Sequence, residues 1–178
     1  MSTELYPRFL PPDKVAAKSH RDWSKKEAQI YFDWLMESSG ERVCGLLRFV
    51  GKDGQAQRNR QLLRDVGERI VALLTLDEYS RTRDGSRTLT DAGYALAADM
   101  GLLTAEVLQA VAGASVQWAI LRKPKSDISY NLPVLTGFGK LILDPVGGSV
   151  AEATGVLAGL RESDAWVRIV DFWSPRAK

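Results

Sequence analysis

Asp99 and Glu106 interrupt the apolar stretch that follows Asp91, and they stand seven residues apart. On a helix this spacing sets both carboxylates on one side, two turns apart. That residue type can coordinate a divalent metal or run acid–base chemistry. Two turns separate the Cα atoms by about 10.5 Å, too far for the pair to share an ion unaided. No HExxH, ExxH or DxD element completes such a site. The expectation for each acid is therefore structural, as the partner of an arginine or the cap of a neighbouring element. A small carboxylate-dependent enzyme remains the alternative, and it requires both groups to converge in an open cleft.

Arginines form the second candidate set. Arg58, Arg60 and Arg64 fall within one predicted helix, and Arg81, Arg83 and Arg87 fall in the polar segment Ser80–Arg87. Clustered arginines can hold phosphates, and a nucleic-acid-binding module would use these residues. The plainer expectation is a solvated helix face with local ion pairs such as Arg64–Glu68.

Cys44 is the one cysteine and His20 the one histidine. A lone cysteine rules out an internal disulfide and any multi-cysteine metal cluster. Cys44 lies in the run Val43-Cys44-Gly45-Leu46-Leu47, which reads as a buried, inert thiol. A reactive thiolate needs a base beside it, and His20 belongs to a polar N-terminal segment. Phosphate- and nucleotide-binding glycine patterns are missing as well. Gly137-Phe138-Gly139-Lys140 lacks the upstream glycine and the Ser or Thr of a P-loop, and no GxSxG element occurs. No catalytic residue, cofactor-binding residue or metal ligand is expected, and no cofactor.

The elements that must position these residues follow from caps and periodicity. Ser24-Lys25-Lys26-Glu27 has capping-box spacing and opens a helix with Ala28, Tyr31, Phe32 and Leu35 on one face. Ser38-Ser39-Gly40 reads as its stop, followed by a short helix from Glu41 to Val50. A third helix is predicted over about 57–76, with Leu62, Val66, Ile70 and Leu73 as its stripe. Ser80–Arg87, centred on Asp84-Gly85, reads as a loop. Thr90 caps the longest helix, which runs to about Val111. There Gly93, Ala97, Gly101 and Ala105 recur every four residues and make one side nearly flat. That flat side meets either the protein's own core or a second copy in a homodimer.

The period then changes to that of strands. Residues 116–121, 132–138 and 140–143 are expected to pair as a small antiparallel sheet. Ser149 is placed as the cap of a last helix through about Leu160. Ala165–Val170 reads equally as a fourth strand or as a terminal helix. The fold class is α+β: N-terminal helices and a long central helix packed on an antiparallel sheet of three to four strands. Residues 1–22, with Pro7, Pro11 and Pro12, are expected as an extended arm, and 23–178 as one domain.

Composition agrees with a globular chain. The 178 residues are 45% hydrophobic and 26% charged, close to globular averages. Lys and Arg number 24 against 22 acids, a net charge of +2, which points neither to nucleic acid nor away from it. The N-terminus lacks a basic start followed by an apolar run, and no stretch reads as the roughly 20 apolar residues of a membrane span. A cytoplasmic location, without a membrane, is the expectation.

Several stretches together resemble a group of bacterial proteins regarded as immunity proteins of polymorphic-toxin loci. They are Trp23-Ser24-Lys25-Lys26-Glu27-Ala28, Tyr31-Phe32-Asp33-Trp34, Leu89-Thr90-Asp91-Ala92-Gly93, and Gly101 with Glu106-Val107-Leu108. Trp118, Asp127-Ile128, Tyr130, Pro133-Val134-Leu135, Gly137-Phe138 and Asp144-Pro145 continue the pattern. The similarity spans roughly 23–35 and 89–146, and it departs at Ala105, where the group has glycine. What the resemblance implies is a non-catalytic intracellular binding protein whose partner is a cognate toxin. It implies no cofactor and no catalytic residues, and it leaves the partner-binding residues unknown.

Overall fold

Ser24 and Glu27 fix the start of the first long helix. The Glu27 amide donates to Ser24 Oγ at 3.2 Å, and the Ser24 amide donates to the Glu27 carboxylate at 2.8 Å. In the computed structural model, which describes residues 5–178, this helix is α2 (Lys25–Phe49), preceded by a single turn, α1 (Asp13–Ala16). The stop expected at Ser38-Ser39-Gly40 does not occur. Ser38 and Ser39 turn their hydroxyls back to the carbonyls of Trp34 and Met36 within the helix. Leu35 and Val43, buried on either side of the break signal, hold one continuous stripe against the core. Packing outweighs the local cost of about 1 kcal/mol for Gly40.

Asn59 caps α3 (Arg60–Leu74) by accepting from the Leu62 amide at 2.9 Å, so the helix starts three residues later than periodicity alone suggests. The segment expected as a polar loop is instead a hairpin, β1 (Ser80–Arg83) and β2 (Ser86–Leu89). Asp84 and Gly85 both have positive φ, 50° and 80°, the backbone of the tight turn that an Asp-Gly pair favours.

Thr90 accepts from the Gly93 amide at 3.1 Å and opens α4 (Asp91–Ala112), the central buried helix. Its small residues work as close-approach points. A Cβ on Gly93 would lie 1.9 Å from the Tyr79 carbonyl oxygen, and one on Gly101 would lie 2.4 Å from that of Pro145. The flat side therefore meets the chain's own backbone. By length and composition α4 could also cross a bilayer, with a mean hydropathy of 1.4 over its most apolar window, which corrects the expectation that no stretch qualifies. Burial of 72% of that window inside the fold accounts for the composition.

A three-stranded antiparallel sheet follows, in the order β3 (Gln117–Ile120), β4 (Pro133–Phe138), β5 (Leu141–Leu143). Asp144 then caps α5 (Pro145–Leu157), accepting from the Gly147 amide at 2.8 Å with Pro145 in the first turn. Ser149 is thus not the cap. It lies inside α5, fully buried, donating to the Ala97 carbonyl at 2.6 Å and accepting from Trp166 Nε1 at 2.7 Å. The open choice at the C-terminus resolves as a helix, α6 (Ala165–Trp173), which drives Trp166 into the core. The whole is α+β, with helices around α4, one three-stranded sheet and one separate hairpin.

The segment before α2 joins this core. Tyr6 and Val15 are buried, and Trp23 Nε1 donates to the Val15 carbonyl at 3.1 Å. Residues 5–22 therefore lie against the domain as a strap, one face of which roofs the cavity described next.

Candidate functional site

The two acids of α4 do not converge. Asp99, 1% exposed, accepts from Arg42 Nε and Nη2 at 2.6 and 3.0 Å and from the Tyr6 hydroxyl at 2.5 Å. Burial holds the Asp99 carboxyl above the usual range, while Arg42 and Tyr6 pull the other way. Glu106 meets a different arginine, Arg58, at 2.6 Å. Each carboxylate thus has its own cation on its own stretch of α4.

The arginines divide in the same manner. Arg58 also donates to the carbonyls of Ala56 and Gly54, and Arg60 pairs with Asp171 and the Ser174 hydroxyl. Arg64 is exposed and reaches Gln61; its expected pair with Glu68 does not form. Arg87 folds back onto Ser80, Thr75 and Asp77 and ties down the hairpin. Arg81 and Arg83 stay on the outer surface.

Cys44 is half-buried rather than sealed in, with Sγ 3.3 Å from the Gly54 carbonyl. His20 is engaged elsewhere: its Nδ1 lies 2.8 Å from the Tyr130 carbonyl. A carbonyl can only accept, so Nδ1 carries a proton in this contact.

His20 instead lines a cavity of about 680 Å³ beneath the strap. The roof is the segment from Arg8 to His20. The floor comes from Tyr31 and Leu35 of α2, Tyr94 of α4 and the first turn of α5. Four aromatic rings wall it: Phe9, Trp23, Tyr31 and Tyr94. Trp34 stands behind them, 5.1 Å from Phe9 and 5.5 Å from Tyr31 between ring centroids, while Trp23 and Tyr31 are 5.0 Å apart. The size and apolar walls are those of small-molecule sites.

Asp144 supplies the one carboxylate of the floor. Its Oδ1 caps α5, and its Oδ2 accepts from Ser129 Oγ at 3.1 Å. Among the described residues no Lys, Arg or His lies within ion-pair distance of it. Burial raises its carboxyl above the usual range, opposed by the Gly147 amide, by Ser129 and by the proximity of His20. Burial also raises the Tyr31 and Tyr94 phenols, and the Asp144 charge adds to both shifts. Neither phenol hydroxyl has a hydrogen-bond partner among the described residues, and the Tyr31 oxygen is not sealed from solvent. An acid, an imidazole and two phenols therefore gather in one concavity.

Sequence reading passes over this site because its parts lie far apart in the chain. Asp144-Pro145 reads as the end of the sheet and His20 as a lone polar residue. The one available signal is the crowding of Tyr6, Phe9, Trp23, Tyr31, Phe32 and Trp34 before residue 35, more than a helix face and a surface arm require.

No family model matches the chain, and comparison with curated proteins and with solved structures gives no match. Among the described residues no group of three or more His, Cys, Asp or Glu side chains could hold a metal ion.

Proposed function

We propose that the protein acts by binding, without bond-making chemistry, and that its partner is a toxin protein of the kind the sequence resemblance implies. One observation carries the first half: the groups that could do chemistry are held as fixed structural partners. Asp99 is closed off by Arg42 and Tyr6, and Glu106 is held by Arg58. Within the cavity both oxygens of Asp144 and Nδ1 of His20 already have partners, and among the described residues no Ser or Cys nucleophile is paired with the imidazole. Such groups orient a ligand better than they exchange protons with one.

The nucleic-acid alternative draws on Arg58, Arg60, Arg64 and the Arg81–Arg87 hairpin. Arg58 is turned into the fold by Glu106, and Arg60 and Arg87 are paired at the surface with Asp171 and Asp77, which leaves fewer free cations for phosphates. Binding of that kind would also fall steeply with salt.

The protein-partner reading is tested by expressing the product of the adjacent gene with and without this chain. The expected outcome is growth arrest that this chain relieves, together with co-elution of the two proteins in size exclusion. Relief without a complex, or a complex without relief, would reject the proposal.

A further inference from the structure

The aromatic cavity has a chemistry of its own, independent of the protein-partner reading. Aromatic faces attract cations through the ring quadrupole, and the attraction grows when the cation is removed from water. Here four rings surround a concavity whose one floor charge is a carboxylate. The cations at the rim are already balanced: Lys18 meets Glu27 at 2.6 Å, and Arg8 lies 3.7 Å from Asp91. Asp144, in contrast, has no cationic partner within ion-pair distance among the described residues.

Asp144 is half-buried, and withdrawing a carboxylate from water is costly unless a counter-charge or hydrogen bonds satisfy it. Asp144 has the hydrogen bonds, while His20, the imidazole of the same cavity, acts on it only from beyond ion-pair distance. The start of α5 would ordinarily favour an anion. That anion is already present as Asp144 itself, whose Oδ1 takes the Gly147 amide. A second anion would meet a filled cap and a like charge. The phenol oxygens of Tyr31 and Tyr94, without partners among the described residues, add acceptors suited to an N–H donor. Phe9 already carries one cation, Arg42, 4.5 Å from its ring centroid and neutralised by Asp99. A volume of about 680 Å³ is that of a whole small ligand rather than of one inserted side chain.

We infer that this cavity binds a small organic cation, an ammonium group on an alkyl or aryl body. The ammonium sits against Asp144, and the body lies between Phe9, Trp23, Tyr31 and Tyr94.

The test is calorimetric titration of the full chain with three matched probes: phenylbutylamine, phenylbutanol and phenylbutyrate. The ammonium is expected to bind at least roughly tenfold tighter than the alcohol, and the carboxylate weakest. Asp144→Asn keeps a competent helix cap and is expected to reduce the ammonium to the level of the alcohol. Tyr94→Ala, at a residue 41% exposed and so tolerant of truncation, is expected to weaken the ammonium and the alcohol together. Equal affinity for the three probes overturns the inference, as does tighter binding of the carboxylate. So does the absence of ammonium binding at about 10 mM, well above the range of a useful site. If Asp144→Asn fails to fold, the probe series on the unaltered chain decides alone.

Discussion

Arg42 of α2 reaches Asp99 of α4 through two nitrogens, Nε at 2.6 Å from Oδ1 and Nη2 at 3.0 Å from Oδ2. The remaining acceptor capacity of that carboxylate takes the Tyr6 hydroxyl at 2.5 Å. One buried acid thus ties the strap, the first long helix and the central helix together. This contact places the roof over the cavity, since Tyr6 lies two residues before Arg8.

Removing one partner of a buried ion pair leaves the other charged and unsatisfied, at a cost of about 3–5 kcal/mol. Asp99→Ala is expected to destabilise the fold by that amount. Tyr6→Phe, which deletes one hydrogen bond to a charged group, is expected to cost about 1.5–3 kcal/mol. Urea unfolding with an unchanged denaturant slope reads both values. A cost below about 1 kcal/mol for Asp99→Ala would place the pair among surface bridges of little consequence.

Gly101 and Gly40 are both helical, and helix propensity alone predicts a gain of about 1 kcal/mol for alanine at either position. Their surroundings differ. A Cβ at Gly101 would sit 2.4 Å from the Pro145 carbonyl oxygen, whereas one at Gly40 meets nothing within 4 Å. Gly101→Ala is expected to lose stability by about 1–3 kcal/mol through forced separation of α4 and α5, and Gly40→Ala to gain it. Thermal unfolding of the two variants decides, and gains at both would refute the close approach.

Ser149 joins three elements through one oxygen, linking the Ala97 carbonyl of α4 to the Trp166 indole of α6. Ser149→Ala leaves the indole N–H buried without an acceptor, at a cost of about 1–3 kcal/mol. Placing the same change in a Trp166→Phe background removes that penalty, so the two substitutions should couple strongly in a double-mutant cycle. Strict additivity would show that the indole N–H finds another acceptor.

What could be read from the sequence was local, and what could not was the meeting of distant residues. Ser24 with Glu27, Thr90 before an apolar run, and the small residues at 93, 97, 101 and 105 each announce their role within one or two turns. Asp84-Gly85 announces its turn too, but its flanks, Ser80–Arg83 and Ser86–Leu89, are polar and hide the strands. Gly40 misleads because the packing of Leu35 and Val43 lies outside any local rule. Ser149 misleads because Asp144, five residues earlier and followed by Pro145, makes the stronger start. The cavity draws on residues 9, 20, 23, 31, 94 and 144, and no periodicity relates these numbers. Only the topology, which lays the strap across α2 and the start of α5, puts them in one place.

The strap is also fastened at a site that titrates. Lys18, 2.6 Å from Glu27 and the largest influence on it, acts with the Ser24 amide and hydroxyl to lower the Glu27 carboxyl from 4.5 to about 2. A carboxyl depressed in the folded state contributes stability above its unfolded value, and the contribution is lost as pH falls toward the folded one. The window here runs from 4.5 down to about 2. Glu27→Gln keeps the cap geometry, since glutamine also serves at this position, and removes only the charge. The unaltered chain is expected to melt higher than the variant at about pH 6, with the gap closing as the acid limit is approached. Because the pair is exposed, the gap should also shrink in high salt. A gap that stayed constant down to the acid limit would mean that the carboxylate charge contributes nothing to holding the strap.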